Sequence, residues 1–411
     1  MRKRRRGHST RGPGGPGGPA SRRGRMAGVL VALLVVGGGC SINADNPAGF
    51  EYAGRGPSVV EVDSFTVTGE DTTWAAEFRW DDVELIAAGS FHGYHALSLI
   101  RFTGLPEGAA VQGARLILRR RTTTASTDST RLLTLSVRPV STDWDSTWWG
   151  DDASRLTVGS SLSQVGVPIV SETDTVGFTL PSSLVQGWVD DEAAARRGLA
   201  LTAPDDGPFI QFFDSNDAVG GRAGFKPELR LTYVPAGGAE NETLSLDASR
   251  DLTLFTTDGV PPADELWASR GASWRSVLTF DISAIPASAT VNRAELTVQV
   301  DTGASVGLPM GIFSGLTDDL MPWALPTSEM LAPGTGTIAY TVSEGDSTVT
   351  MGVTRAVETH TRLGRDTLQL LVAASGEATG AGRVVLPNTS AAPVREHQLR
   401  VFYSVPPGGG R

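Results

Sequence analysis

Residues 101–118 read RFTGLPEGAAVQGARLIL, and residues 279–298 read TFDISAIPASATVNRAELTV. In each, an aromatic side chain (Phe102, Phe280) precedes a proline (Pro106, Pro286), and a valine (Val111, Val291) follows. Ala114 and Leu116 then match Ala294 and Leu296. The pattern predicts a strand, a turn set by proline and small residues, and a second, alternating strand: a hairpin, present twice. A repeat this long marks a duplicated domain, not a solenoid.

The two copies also end alike. Residues 228–235 read ELRLTYVP and residues 398–406 read QLRVFYSVP. Leu229, Leu231 and Tyr233 thus match Leu399, Val401 and Tyr403 on one face of a closing strand. Strand-length apolar or alternating runs occur at 115–119, 132–137, 229–234, 244–246, 296–300, 349–353, 368–372 and 399–403.

One helix per copy is expected. In SSLVQGWVDDEAAARRG (182–198), Leu184, Val185, Trp188 and Val189 share a face, with Ser182 or Ser183 as N-cap and Gly198 as C-cap. Residues 354–364 are its counterpart, with Val357 and His360 at matching places. Short strands, one helix per copy, and high glycine (49) and proline (24) predict an all-β chain. The expected architecture is two tandem jelly-roll-like β-sandwich domains. Their predicted limits are 59–235 and 243–406, with the linker at 236–242 in the stretch PAGGAENE (235–242) and a tail at 407–411.

The formal net charge of -10 hides an asymmetry. Residues 1–39 hold nine of the 35 basic side chains and no acid, which leaves 26 against 45 acidic residues and a body near -19. Such a body excludes nucleic acid as the main partner, because phosphate neutralisation needs Lys and Arg. After the basic run, MAGVLVALLVV (26–36) is too short to span a bilayer and suits an export signal. Small residues lead into Cys40, the one cysteine of the chain, and resemble a bacterial lipobox. The expectation is a signal peptide over 1–40, lipidation at Cys40, a tether over 41–58, and a body exported and lipid-anchored at the cell envelope or cell surface. A single cysteine gives the body no internal disulfide.

Each copy resembles the DNRLRE type of bacterial extracellular module, a β-sandwich related to alginate-type carbohydrate-binding modules. The carrying pieces in the first copy are LIRFTGLPEGAAVQGARLIL, DWDSTWWGDDAS (143–154), SSLVQGWV and FFDSNDAVGGRAGFKPELRLTY (212–233). The second copy keeps FDISAIPASATVNRAEL and the closing strand but has His360 for Trp188 and only Trp323 in place of the Trp-rich stretch. The resemblance implies polysaccharide binding or a structural place at the cell surface, without catalysis.

Tryptophan is the most informative side chain: six of nine lie in the first copy. Flat rings stack on pyranose C–H faces while polar neighbours fix hydroxyls. Trp144, Trp148 and Trp149 are therefore ligand candidates, with the alternative that alternating members pack in the core. Trp148 and Trp149 are adjacent, so on a strand they face opposite sides and one is expected to be buried. His92 and Tyr94, in the segment FHGYH, join them as rim contacts. Arg120, in the run 119–121, is the candidate for the carboxylates of an acidic polysaccharide such as alginate. The other reading of that run is an exposed strand end charged for solubility. His92 and His95 do not make a zinc site. No cofactor is called for, although acidic clusters at 81–82, 190–192, 205–206 and 214–217 offer oxygen ligands for a structural calcium. No GxSxG, HExxH or P-loop pattern occurs. The expected function is non-catalytic polysaccharide binding through the first domain; the alternative is a structural or adhesion protein of the envelope.

Overall fold

The computed structural model describes residues 59–66, 68, 72–75, 85–123, 131–169, 175–215, 226–316, 340–377, 380–388 and 397–406. The basic leader, Cys40, the tether, Trp80, Trp323, Asp81, Asp82, Asp217 and the tail 407–411 lie outside them.

The chain is all-β, with antiparallel sheets packed face to face. It opens with β1 (Val59–Thr66), β2 (Thr72–Ala75), β3 (Leu85–Phe91), β4 (Tyr94–Arg101), β5 (Ala110–Thr123) and β6 (Leu132–Pro139). There follow β7 (Ser163–Pro168), β8 (Thr175–Leu180), α1 (Ser182–Asp190), α2 (Glu192–Arg197), β9 (Leu199–Thr202), β10 (Ile210–Asp214) and β11 (Glu228–Val234). The second half contributes β12 (Glu242–Asp247), β13 (Arg250–Thr257), β14 (Glu265–Arg270), β15 (Trp274–Asp281), β16 (Thr290–Gln299) and β17 (Asp301–Val306). It continues with β18 (Met310–Leu316), β19 (Tyr340–Val342), β20 (Thr348–Gly352), α3 (Thr354–Arg362), β21 (Thr367–Ala374), β22 (Gly382–Pro387) and β23 (Gln398–Val405). The predicted strand runs fall on β5, β6, β11, β12, β16, β20, β21 and β23.

The opening stretch is not a hairpin. β4 pairs with β3, β9 and β13, whereas β5 pairs with β8, β10 and β11. The turn at Pro106 therefore carries the chain from one layer of the sandwich to the other. Phe102, 1% exposed, is buried where the chain crosses. The second copy does the same with Phe280 and Pro286: β15 pairs β2 and β21, and β16 pairs β20 and β23. The physical reason is burial. An aromatic that must leave water at a strand end is satisfied between two layers, and a flat hairpin would leave it on one face.

In the first sandwich the core lies between β12-β11-β5-β8 and β10-β3-β4-β9-β6-β7, lined by residues such as Ile86, Ile100, Leu116, Leu135, Phe178 and Leu229. The fourteen-residue β5 serves both layers, pairing with β11 over its first part and with β10 at Arg120–Thr123. The second sandwich packs β1-β23-β16-β20 against β19-β18-β21-β15-β2, with β14-β22-β17 beside them.

The opening strands of the two copies are exchanged. β12 pairs with β11, and β13 pairs along all of β4, so both belong to sheets of the first half. In return β1 pairs with β23 from Val59↔Val405 to Thr66↔Gln398, and β2 pairs with β15. The sequence boundary at 236–242 is a hairpin connection, and β1 and β2 complete the second sandwich. Residues 55–411 accordingly form one compact unit.

The helix reading holds in outline and changes in its caps. Val185 and Trp188 are buried, but α1 starts directly after Pro181, whose carbonyl takes the Leu184 N–H at 3.1 Å. Neither serine caps it. The helix breaks at Asp191, whose carboxylate accepts the Ala193 N–H (2.9 Å) and starts α2. Gly198 ends it at φ 64, beside the Ile100 carbonyl, where a Cβ would sit 2.1 Å from that oxygen. The first copy thus has two short helices in place of one.

Candidate functional site

The Trp-rich segment is a knot of turns tied by its own carboxylates. Asp145 accepts the Thr147 hydroxyl at 2.5 Å and the Thr147 N–H at 2.7 Å, which together hold its carboxyl below the usual range, and Asp152 accepts the Trp149 N–H at 3.0 Å. Asp143 pairs with Arg197 at 2.9 Å. The segment ends in a 3-10 helix, Gly150–Arg155. It packs on the outer face of the sheet made by β3, β4, β10 and β13, forming a cluster with Phe91, Leu99, Phe212 and Leu254. Ala272, Val306 and Ala381 of the second sandwich close the same cluster, so this apolar layer joins the two sandwiches.

The six candidate residues separate sharply. Trp144 and Trp148 are 5% and 6% exposed and pack in that layer. Trp144 donates its indole N–H to the Arg197 carbonyl (2.8 Å) with Arg101 over its ring, and Arg155 lies over Trp148. Tyr94 is fully buried, and burial pushes its phenol up to about 12. Arg120 is not an exposed strand end. It is 2% exposed and donates to Gln211 Oε1 (3.0 and 2.8 Å) and to the Pro168 carbonyl, because β10 covers the end of β5. Its neighbours Arg119 and Arg121 lie 3.7 and 3.4 Å from Asp214. These four side chains present no face to a polymer in solution.

His92 and Trp149 remain at the surface. His92 and Gly93 form the two-residue turn between β3 and β4, both at positive φ (47 and 80), with the His92 ring edge-on to Phe91. Trp149, partly exposed, lines a groove of about 720 Å³. One wall is Trp149, Gly150, Asp151 and Ser154; another is Gly271, Ala272 and Trp274. The floor and rim run from Phe255 through Thr256, Thr257 and Asp258 to Val260, an aliphatic side chain that is 73% exposed. Backbone contact fixes the first wall: a Cβ at Gly150 would lie 2.1 Å from the Phe255 carbonyl oxygen, so only glycine lets the 3-10 helix approach β13 this closely.

Two tryptophans from different copies therefore share one groove. Trp274 also meets Trp267 edge-on at 6.0 Å between ring centres, and Arg383 lies 4.4 Å over Trp267. Asp258 links this groove to a smaller one of about 340 Å³, lined by Ser90, His95, Arg138, Thr202 and Asp205. His95 Nε2 is 2.6 Å from Asp258 Oδ1, and its Nδ1 is 3.1 Å from Ser90 Oγ. Ser90 in turn donates to the Pro204 carbonyl.

The sequence pointed to Trp149 but missed Trp274, Asp258 and Val260. Their signal was weak, since the groove exists only because β13 crosses into the first sandwich and carries the 258–260 turn with it. Two of the acidic runs serve elsewhere: Asp190 accepts from Gln186, Asp191 caps α2, Glu192 pairs with Arg196, and Asp214 pairs with the arginines of β5. Among the described residues, no group of three or more His, Cys, Asp or Glu is placed to hold a metal ion.

No protein-family model matches the chain, and no curated protein does. Among solved structures, the chain is similar at 12% identity to infectious bursal disease virus, Gx strain, with a TM-score of 0.13 over 85% of this chain and 77% of that one. It is similar at 11% identity to Macrobrachium rosenbergii nodavirus, with a TM-score of 0.13 over 85% and 98%. At TM-scores this low, neither likeness bears on fold or function.

Proposed function

We propose that this chain is an exported, envelope-anchored protein that binds polysaccharide without chemical conversion. The observation that carries the reading is the groove in which Trp149 and Trp274, both partly exposed, stand among Asp151, Ser154, Thr256, Thr257 and Asp258. Aromatic faces for pyranose rings, beside oxygens for their hydroxyls, are what a sugar polymer requires. The export-type leader, the lipobox-like Cys40 and the resemblance to DNRLRE-type modules support the same reading. It places the ligand between the two copies, not on the first alone.

Affinity electrophoresis of the protein without its leader, in gels containing alginate, pectin, chitin fragments or β-glucan, tests the proposal. Retardation by at least one polymer, lost in Trp149→Ala, is expected. Unretarded migration in all of them refutes it. The alternative, an envelope spacer or adhesion protein, draws on the burial of Trp144 and Trp148 at the junction of the sandwiches, and would leave Trp149→Ala without effect on any glycan.

A further inference from the structure

We infer that the groove between the sandwiches selects uncharged glycans and rejects polyuronates. The inference rests on the polysaccharide-binding reading and adds the charge class of the ligand. Two of the residues lining the groove, Asp151 and Asp258, carry carboxylates, and among the described residues no lysine or arginine lines it. Asp151 is exposed and, among the described residues, its carboxylate has no ion-pair or hydrogen-bond partner. Asp258 is 70% exposed at its side chain, and among the described residues its carboxylate contacts His95, at 2.6 Å.

Recognition of a uronate needs the opposite equipment, a guanidinium fork or an ammonium group. The arginine run that the sequence offered for this purpose is engaged on the first sandwich: Arg120 is buried on Gln211 and Pro168, and the partly exposed Arg119 and Arg121 lie beside Asp214. Arg155 and Arg383, which lie near the groove, sit over the rings of Trp148 and Trp267. Arg138 lines the adjoining smaller groove together with Asp205 and His95, so the combined surface still carries more carboxylates than guanidinium groups. A polyuronate laid along Trp149 and Trp274 would bring like charges together in a partly desolvated cleft. A neutral pyranose places hydroxyl donors there, and each carboxylate accepts one or two of them.

The test compares neutral β-glucan and chitin oligosaccharides with alginate and pectate oligomers, by calorimetry on the leaderless protein and on Asp151→Asn and Asp258→Asn. The expected result is binding of a neutral oligomer, negligible binding of the uronates, and about tenfold weaker neutral binding in each variant, the worth of one charge-assisted hydrogen bond. Because Asp258 also holds His95, Asp151→Asn decides the question if the other variant shifts the melting temperature. Uronate binding by the parent protein equal to or stronger than neutral binding, and not enhanced by either variant, overturns the charge assignment while leaving the binding reading intact. Failure of every oligomer to bind the parent protein overturns the binding reading and this inference with it.

Discussion

Arg275 and Glu377 form a two-pronged ion pair inside the second sandwich. Arg275 Nε and Nη2 donate to the two carboxylate oxygens at 2.9 and 2.7 Å, and the side chains are 1% and 0% exposed. The Glu377 carbonyl also accepts the Gly271 N–H at 2.9 Å, so the pair anchors the turn that precedes Trp274 in the groove wall. Buried charges of this kind are tolerated only when both remain.

Glu377→Gln should therefore cost about 3–5 kcal/mol by urea unfolding, because it leaves a buried guanidinium without its counter-charge. Replacing both residues with apolar ones of similar volume should cost less than the single change. Equal losses for single and double variants would show that packing, not charge, sets the effect.

Trp148 and Trp149 are adjacent and should answer differently. Trp148→Ala removes a buried ring and is expected to lose about 3–5 kcal/mol of stability. Trp149→Ala should leave the melting temperature within a few degrees and reduce glycan retardation. Matching melting curves for the two variants would contradict the division between core and groove.

Gly150→Ala drives a methyl group into the Phe255 carbonyl. The 3-10 helix must retreat from β13, at a cost of about 1–3 kcal/mol. Trp149 should move with it, read as a changed tryptophan emission and weaker binding. An unchanged emission spectrum would mean that the groove does not depend on this contact.

His397 makes the fold sensitive to acid. Its Nδ1 accepts the Gln299 N–H (3.1 Å) and its Nε2–H donates to the Pro387 carbonyl (3.0 Å), an arrangement only the neutral ring satisfies. Burial pushes its pKa down from 6.5 to about 4. Below 6.5 the unfolded chain therefore binds the proton first. The stabilisation is complete above that pH and declines as pH falls towards 4, by up to about 3 kcal/mol. His397→Gln should be less stable at pH 7 yet lose less between pH 7 and 4.5. Parallel stability–pH curves would exclude this histidine as the cause.

Strand exchange makes the second sandwich depend on residues far away in sequence. Removing residues 1–75 deletes β1 and β2 and opens the edges of β23 and β15. Amides of β23 and β15 should then exchange faster with deuterium, while those of β5 and β11, the latter paired with β12, keep their protection. Unchanged protection of β23 would show that the second sandwich closes without its donated strands.

Much of the architecture is local in origin and so was legible. Alternation in Leu229, Leu231 and Tyr233, and again in Leu399, Val401 and Tyr403, follows from the two-residue period of a strand with one buried face. The duplication, the helical face of Val185 and Trp188, and Gly198 as a stop were readable for the same reason. The candidate site was legible only in part. Trp144, Trp148 and Trp149 look alike in sequence, and whether a ring meets solvent depends on which sheet covers it.

Sequence alone determined that the chain is all-β, duplicated, and built from alternating strands, because those features rest on side-chain periodicity and turn chemistry. Tertiary structure decided which sheet each strand joins. Antiparallel pairing is satisfied equally well by either copy's edge, so nothing local distinguishes β1 on β23 from β1 on the first sandwich. That choice carried β13 and Asp258 across to the first half, brought Trp149 and Trp274 to one groove, and buried Trp144 and Trp148 beneath it.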